Sequence, residues 1–367
     1  CLALLLSGCG TTYISAPDYG GRYDTSSLGA RVAQTARSQI GAHYRLGGTT
    51  PKGFDCSGLI WWAYRQHGIN VPRVTDAQAK ELAKGINLPA SLFALDINGS
   101  TVESTGLGLD IGDADRICYP IPDTLCNEPW QKRPTAQLLM TMHELEGEPF
   151  FADPREVLRQ VVTKFDELGL TICAAFELEF YLFDRKLEHG LPRFPRDPLT
   201  DDEDDQPNMH IERLSRFSSV LHEMVDGANE QGVPANVITA ELGPGQFEIN
   251  FSHSDDALSA ADWSALFCRS TRGIAMKHGY RASFMSKPYL DAPGSGMHVH
   301  VSLYDAAGNN LLAAHQQQPL RHAVAGCLEL LPACMPIFAP NHNAFRRLGG
   351  TTNIATQASW GYEDRDA

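Results

Sequence analysis

TICAAFELEFYLF, residues 171–183, decides the fold of this chain. Apolar side chains from Phe176 to Leu182 occupy every second position, whereas Glu177 and Glu179 stand between them. Because successive side chains of a β-strand point to opposite faces, this period of two predicts a strand with one apolar face. Both carboxylates then lie on the other face.

Two later stretches repeat this alternation. In GQFEINF, Glu248 and Asn250 oppose apolar residues, and Glu241 precedes this stretch across a Gly-Pro-Gly turn. In GMHVHV, His298 and His300 share one face. A solvent-exposed polar face explains any single strand of this kind, but three such strands in one chain favour convergence of their polar faces on a common site.

This convergence has a chemical consequence. Burying several unpaired carboxylates inside a sheet is so costly that a cation is required to neutralise them. Oxygen ligands with histidine suit Mg²⁺ or Mn²⁺ better than zinc, which prefers tetrahedral nitrogen and sulfur sets. Because Mg²⁺ bridges nucleotide phosphates, the sequence points to phosphoryl-transfer chemistry.

Length and composition limit the class of protein. The 367 residues suggest two or three globular domains. The net charge of -14, from 30 basic and 44 acidic residues, argues against a non-specific nucleic-acid surface, although an acidic protein can still bind nucleotide locally. The apolar runs are shorter than the roughly 18 residues of a spanning helix, so we do not expect an integral membrane protein.

Helices are expected beside these strands. Asp153 followed by Pro154 predicts the start of an amphipathic helix. Residues 255–278 predict a long amphipathic helix that is capped by Asp255 and ends before Gly279. With the strands, these helices predict an α+β fold, in which a curved, mostly antiparallel sheet is flanked by helices and carries the site on its concave side.

The N-terminal part carries two further signals. CLALLLSGCG contains Leu-Ser-Gly-Cys, which resembles the cleavage box of a bacterial lipoprotein and would place a lipid on Cys9 at a membrane. Apolar residues at helical spacing follow Cys56, so Cys56 is expected at a helix start, where the helix dipole favours the nucleophilic thiolate. A buried inert thiol is the competing interpretation of Cys56.

From about residue 84 to 365, the chain resembles the glutamine synthetase family, and within it the γ-glutamylpolyamine synthetase branch. The resemblance rests on FELEFYLFD, ELGPGQFEINF, KHGYRASFMSKPYLDAPGSGMHVHVSLYD, NHNAFRR and ASWGYEDR. It implies ATP-dependent ligation of glutamate to a polyamine or ammonia through a γ-glutamyl phosphate. It also implies ATP and two Mg²⁺ or Mn²⁺ ions as cofactors, and a homo-oligomeric ring if the small N-terminal β-grasp domain were complete.

The same resemblance implies roles for individual residues. The ligands that it implies for one metal are Glu179, Glu241 and Glu248. The ligands that it implies for the second metal are Glu177 and His298. The substrate contacts that it implies are His300 at nucleotide phosphate, Gly294 beside glutamate, and Arg347 with Arg365 at the substrate carboxylate or the transferred phosphate.

The chain also departs from this family. Only the latter part of a β-grasp domain is recognisable, around residues 91–123. The strands that follow the arginine matching Arg365 in the family have no counterpart here, so we expect a truncated site in which the second metal lacks one ligand. Asn353 stands where glutamine synthetases carry a flap glutamate that helps to receive ammonium, which favours a larger amine.

A second resemblance covers the N-terminal segment. GAHYRLGGTTPKGFDCSGLIWWAY, residues 41–64, resembles the NlpC-type cysteine peptidases, which cleave cell-wall peptides. It implies Cys56 as the nucleophile, but the histidine that this family carries on a later strand has no match after Gln78. The alternatives to the ligase are therefore cell-wall peptide hydrolysis by Cys56 and a catalytically inactive chimeric fragment.

These observations predict four segments. They are a signal or lipobox remnant with a polar leader (1–29), a partial papain-like α+β peptidase segment (30–80), a partial β-grasp domain (81–140) and a glutamine synthetase catalytic domain that is truncated at its C-terminus (141–367). A lipobox implies the bacterial cell envelope, where ATP is scarce, whereas the ligase part implies the cytoplasm. We therefore expect a chimera of two partial genes joined near residues 79–85, with a real fusion as the alternative.

Overall fold

In the computed structural model, the described residues are 28–43, 45, 48–54, 56–68, 83–96, 98–109, 112–132, 135–188, 191–197, 209–313 and 317–349. They fall into two compact units, the first of residues up to 125 with 132–153, and the second of residues 126–131 with those from 154 onward. None of the helices in the described ranges is both long and apolar enough to cross a bilayer.

The secondary structure alternates between helices and strands along the chain. The α-helices of the described ranges are α1 (Leu28–Arg37), α2 (Cys56–Arg65), α3 (Pro154–Glu167), α4 (Ile211–Arg216), α5 (Ser218–Glu230), α6 (Ala257–Lys277), α7 (Gln317–Phe338) and α8 (His342–Leu348). The strands are β1 (Thr49–Thr50), β2 (Gly53–Phe54), β3 (Ile86–Pro89), β4 (Asp115–Pro120), β5 (Cys126–Asn127), β6 (Ala136–Gln137), β7 (Met140–His143), β8 (Leu170–Asp184), β9 (Leu187–Glu188), β10 (Leu191–Pro192), β11 (Ala235–Ala240), β12 (Gln246–Phe251), β13 (Tyr280–Ser283) and β14 (Met297–Asp305). Short 3-10 helices occupy Ala90–Ala94, Glu103–Thr105 and Pro122–Thr124.

The first unit contains a hairpin and a small antiparallel sheet. Strands β1 and β2 pair with each other, directly before helix α2. Strands β3, β4 and β7 pair in that order. Ala90, Cys118, Met142 and Phe150 form a buried apolar cluster beside this sheet.

The second unit is built on a five-stranded antiparallel sheet. Its strand order is β11-β12-β8-β13, and β14 also pairs with β8. Glu177 and Leu178 of β8 pair with both β12 and β14, so these two strands lie on opposite edges of β8. The predicted antiparallel sheet is confirmed, and the strand predicted over 171–183 is found as Leu170–Asp184.

One face of this sheet is apolar and packs against helix α6. The rings of Phe180 and Phe247 lie 6.2 Å apart, and Phe180 lies 6.4 Å from Phe267 of α6. All three side chains are completely buried, and each such burial stabilises the fold by about 1.5–3 kcal/mol. The other face of the same strands is therefore left for polar side chains.

Two predicted helix starts have different outcomes. Helix α3 begins at Pro154, as the sequence predicts. Helix α6 is capped by Asp256 rather than Asp255, because the Asp256 carboxylate accepts hydrogen bonds from the amides of Leu258 and Ser259. The prediction of Asp255 as the cap is wrong by one residue, since only the residue directly before the first turn can reach these amides.

Candidate metal and substrate site

The strand register places four of the five predicted metal ligands on one face of the sheet. Glu248 of β12 is directly opposite Glu179 of β8, and Asn250 is opposite Glu177. On the other edge of β8, His298 of β14 is also opposite Glu177. Because directly opposed residues of antiparallel strands share a face, these five side chains project to the same side.

Short distances connect the imidazoles and carboxylates on this face. Nδ1 of His298 lies 3.2 Å from Oε2 of Glu177, and Nε2 of His300 lies 2.9 Å from Oε1 of Glu177. Nε2 of His298 lies 3.9 Å from Oε1 of Glu179. The Glu179 side chain is 11% exposed and that of His298 is 52% exposed, so the carboxylate lies deeper in the sheet face than the imidazole.

One group of side chains has the spacing of a metal site. Glu177, Glu248 and His298 each offer a ligand atom, and these three atoms all lie within 4.8 Å of one another. Two carboxylate oxygens and an imidazole nitrogen are ligands that Mn²⁺ and Mg²⁺ accept. The resemblance instead assigns Glu248 to a metal with Glu179 and Glu241, and that two-metal partition stays a prediction.

Burial and mutual repulsion perturb three carboxylates, Glu179, Glu241 and Glu248, which we call the carboxylate trio. Burial is the largest cause that raises the pKa of each member of the trio. The charge of Glu179 raises the pKa of Glu241 further, and the charges of Glu177 and Glu241 do so for Glu248. A bound cation would relieve this repulsion, so the trio fits a metal centre.

Glu177 behaves differently from the trio. Burial alone would raise its pKa, but hydrogen bonding to His298 and the charge of His300 outweigh burial, so that its pKa is lowered. Glu177 is therefore the carboxylate of this face that is most readily ionised. Asn250 contributes in the same direction, and its Nδ2 also donates to Oε1 of Glu248 at 3.2 Å.

The sequence did not reveal which residues form hydrogen bonds to Glu179 and Glu241. Nε2 of Gln246 donates to Oε2 of Glu179 at 3.0 Å and to the carbonyl oxygen of Gly294 at 3.0 Å. Nη1 of Arg213, which is completely buried, donates to the backbone oxygen of Glu241 at 2.7 Å. Gln246 could have been recognised as a supporting residue because it occupies a polar position in the strand alternation. Nothing in the sequence around Arg213 indicates that this helical arginine is buried beside Glu241.

Arg347 of α8 reaches the same face near two glycines. A Cβ atom built on Gly294 would lie 2.7 Å from Cγ of Arg347. A Cβ atom built on Gly296 would lie 3.0 Å from Nη2 of Arg347, 3.0 Å from Oε1 of Glu179 and 2.8 Å from Nε2 of His298. A Cβ at Gly294 would also lie 2.6 Å from the backbone oxygen of Ser286, so glycine is required there, whereas a Cβ at Gly296 would have to displace the ends of these side chains.

The guanidinium of Arg347 is partly unsatisfied. Its Nε is buried and has no hydrogen-bond partner among the described residues. A buried N–H donor that lacks a partner is costly, so an anionic group fits beside it. Arg365 and Asn353, predicted near the same site, lie outside the described residues, as does Cys9 of the lipobox.

Cys56 lies in the first unit and starts helix α2, as the sequence predicts. Its side chain is outside the described part of the structure. Nε2 of His67, one of the two histidines near this segment, lies 2.8 Å from Oγ1 of Thr35.

This arrangement of an antiparallel sheet, a carboxylate-histidine face and an arginine belongs to a known class of proteins. Residues 151–367 match the model of the glutamine synthetase catalytic domain, and the chain belongs to this family. Residues 41–92 match the NlpC/P60 family, so the N-terminal segment is similar to those proteins and fits the predicted partial module.

Two relatives of known activity are similar to this chain over most of its length. The chain is 39% identical over 298 residues to γ-glutamylputrescine synthetase PuuA of Escherichia coli strain K12, and 32% identical over 295 residues to a glutamate–isopropylamine ligase of a Pseudomonas species. The first alignment covers 80% of this chain and the second 78%, but each covers only 63% of the relative. The chain thus spans less than two thirds of the length of these relatives.

Solved structures support the fold. A glutamine synthase homologue aligns with a TM-score of 0.64 and 24% identity, over 75% of this chain and 62% of that one. A GmaS–ADP complex aligns with a TM-score of 0.60 and 26% identity, over 75% of this chain and 60% of that one.

Proposed function

We propose that this chain is an ATP-dependent ligase that joins the γ-carboxylate of glutamate to an amine through a γ-glutamyl phosphate. The observation that carries the proposal is the meeting of a metal-type cluster (Glu177, Glu248 and His298) with the unsatisfied guanidinium of Arg347 on one sheet face. Relatives named for glutamate ligation to putrescine and isopropylamine, and a structural neighbour with ADP, support the same reaction class.

The reaction has two balanced steps. An oxygen of the glutamate γ-carboxylate attacks the γ-phosphorus of ATP, and ADP leaves with the electron pair of the broken P–O bond. The amine nitrogen then attacks the acyl carbon, phosphate leaves with the electron pair of the C–O bond, and the nitrogen loses a proton. Negative charge concentrates on the phosphoryl oxygens in both steps, so the site has to stabilise anions.

The residues on the sheet face suit this task. Glu177, Glu248 and His298 would hold Mg²⁺ or Mn²⁺, which supplies positive charge to phosphate oxygens when it is bound. Arg347 would donate its unsatisfied Nε–H to the substrate carboxylate or the transferred phosphoryl group. His300, whose side chain is 51% exposed, is accessible to a nucleotide phosphate.

The finer assignments form part of the same proposal. We propose two metal sites, one held by the carboxylate trio and one by Glu177 and His298, with Gly294 beside glutamate and Arg365 assisting Arg347. The raised pKa of each member of the trio supports a second cation on this face. We also propose an alkyl amine or polyamine as the acceptor in preference to ammonia, because both named relatives act on such amines.

The test is release of ADP by the full chain with Mg²⁺ or Mn²⁺, glutamate and an amine. Putrescine and isopropylamine should support faster release than ammonia. Arg347→Ala should lower kcat by about 10²–10³, the loss typical of one donor to a developing anion. Arg346→Ala, an exposed neighbour on the same helix, is the matched control and should retain activity. ADP release that needs no glutamate, or that survives Arg347→Ala, would contradict the proposal.

We further propose that the chain divides into the four segments that the sequence predicts, 1–29, 30–80, 81–140 and 141–367. We propose a cytoplasmic location for the ligase part. We also propose that the protein assembles into a ring if a complete β-grasp domain is supplied. We also propose that two partial genes meet near residues 79–85, and the two separate family matches support this join. Amplification of the locus from source DNA tests it. A single continuous product with both flanks intact would show a real fusion instead.

Cell-wall peptide hydrolysis is the second candidate function. The NlpC/P60 match and the position of Cys56 at the start of α2 favour it, because a helix N-terminus stabilises a thiolate. A muropeptide digestion assay with the chain and its Cys56→Ala variant separates the two functions. Hydrolysis that Cys56→Ala abolishes, without a change in ADP release, would establish the peptidase. Absence of both activities would leave a catalytically inactive chimera.

A further inference from the structure

Asn343 of α8 forms a two-point clamp on the backbone of Lys287. Oδ1 of Asn343 accepts a hydrogen bond from the amide of Lys287 at 2.8 Å. Nδ2 of Asn343 donates to the carbonyl oxygen of the same residue at 2.7 Å. One amide side chain thus satisfies both backbone groups of one residue, which fixes the distance and the orientation of the two segments together.

The clamp joins two parts of the site, helix α8 and the segment 286–296, that approach each other closely. Asn343 lies one helical turn before Arg347, so both side chains lie on the same face of α8. Lys287 is the second residue of the segment 286–296, which carries Gly294. Because a Cβ at Gly294 would lie 2.6 Å from the carbonyl oxygen of Ser286 and 2.7 Å from Cγ of Arg347, this approach has little tolerance.

The segment 286–296 is itself tied into a defined shape. Nζ of Lys287, a residue that is 5% exposed, donates to the carbonyl oxygen of Ala292 at 2.6 Å. The amide of Ser295 donates to the carbonyl oxygen of Ser286 at 2.9 Å. A displacement at Lys287 would therefore move the segment as a whole, including Gly294.

Helix α8 depends on contacts outside itself for its position. It has seven residues, and helices shorter than about 12–15 residues are marginal by themselves in water. Asn341 caps its first turn by accepting a hydrogen bond from the amide of Ala344 at 3.0 Å. This cap fixes the start of the helix but not its placement against the segment 286–296. The hydrogen bonds of Asn343 to Lys287 supply that placement.

We propose that Asn343 is a positioning residue that sets Arg347 and Gly294 at the separation required to bind the carboxylate of the substrate. This inference rests on the proposed function. Asn343 makes its clamp with the backbone of Lys287, so it acts through Arg347 and Gly294. Its loss is expected to weaken glutamate binding and leave the metal cluster of Glu177, Glu248 and His298 intact.

The experiment compares the full chain with Asn343→Ala and Arg346→Ala. Calorimetry measures Mn²⁺ binding alone and then L-glutamate binding in saturating Mn²⁺, and hydrogen exchange follows the amides of Lys287 and Ser295. Asn343→Ala should weaken glutamate binding by about ten-fold, the equivalent of one charge-assisted hydrogen bond, and leave Mn²⁺ affinity within about two-fold. The amide of Lys287 should exchange faster. Arg346→Ala should change none of these quantities.

The possible contrary outcomes are distinct. Unchanged glutamate affinity in Asn343→Ala, with faster exchange at Lys287, would overturn the positioning role. Equal losses of Mn²⁺ and glutamate binding would show a general structural role instead, and would also overturn it. If Asn343→Ala does not fold, Asn343→Asp keeps the acceptor for the Lys287 amide and loses only the donor, and the same criteria apply to it. Mn²⁺ binding without glutamate binding in the unsubstituted chain would overturn the proposed function, and this inference with it.

Discussion

Replacing Glu248 with Gln should stabilise the metal-free protein and reduce the stabilisation that Mn²⁺ provides. Glu248 and Glu177 offer ligand atoms within 4.8 Å of each other. Burial, followed by the charges of Glu177 and Glu241, raises the pKa of Glu248, so its ionised form is unfavourable in the metal-free fold. A neutral glutamine removes this repulsion, but it is a poorer metal ligand than a carboxylate.

The size of both effects follows from the geometry. Two unit charges 4.8 Å apart repel by about 3.5 kcal/mol at an effective dielectric constant of about 20. Water reaches this face, and the imidazoles of His298 and His300 offset part of the repulsion, so we expect Glu248→Gln to gain about 1–2 kcal/mol in the free energy of unfolding without metal.

At a free Mn²⁺ concentration of 100 times Kd, the unsubstituted protein gains about 2.7 kcal/mol from binding. Substitutions next to metal ligands weaken metal affinity by about 10–100-fold, and loss of the ligand itself should cost at least as much. The variant should then gain at most about 1.4 kcal/mol at the same Mn²⁺ concentration.

Urea unfolding at pH 7.5, followed by circular dichroism in EDTA and in Mn²⁺, measures both quantities. The matched control is Asp262→Asn, which also removes one negative charge but breaks a partly buried ion pair in which Nε of Arg155 lies 3.0 Å from Oδ1 of Asp262. This control should lose about 1–3 kcal/mol equally in EDTA and Mn²⁺. A lower stability of Glu248→Gln than of the unsubstituted protein in EDTA would refute the reasoning, because it would mean that the negative charge of Glu248 is favourable in the metal-free fold.

Three further predictions concern the same face. Because the pKa of each carboxylate in the trio is raised above the ordinary value of 4.5, the metal-free protein should lose stability as the pH rises from below 4.5 through the raised values, which urea unfolding at several pH values would measure. Mn²⁺ binding should therefore release protons, which calorimetry in two buffers of different ionisation enthalpy would detect. Gly296→Ala should weaken Mn²⁺ binding because its Cβ would displace the imidazole of His298, whereas Gly326→Ala, with open space around it, should bind normally in the same calorimetric titration. Asn250→Ala should weaken Mn²⁺ affinity by about 10–100-fold through loss of its hydrogen bond to Glu248, and an unchanged Kd would exclude this role.

The sheet face was predictable because its information is local. A period of two along β8, β12 and β14 fixes which side chains share a face, and no long-range contact is needed to infer it. The alternation therefore placed Glu177, Glu179, Glu248, His298 and His300 correctly. Which strands pair was not determined by the alternation, but any antiparallel pairing in the right register would bring these side chains together.

The supports of the site were not predictable in the same way. Arg213 reaches the backbone of Glu241 across 28 positions, and Asn343 reaches Lys287 across 56. Such contacts depend on the tertiary arrangement of helices and loops, so a single sequence carries no period that reveals them. The capping error at Asp255 is of a different kind, since adjacent aspartates offer equivalent side chains and only the backbone geometry selects between them.

The pairing of β3 bears on the proposed join between the two family-like segments. The NlpC/P60 match extends to residue 92, yet Ile86–Pro89 pairs with Asp115–Pro120, which in turn pairs with Met140–His143. Because Ile86–Pro89 belongs to this sheet, we expect the proposed join to lie before Ile86. The residues that converge on the metal face come from the second unit, between Glu177 and Arg347. The residues of the proposed metal site therefore do not include Cys56 or its helix, so the two candidate chemistries can be tested independently in one chain.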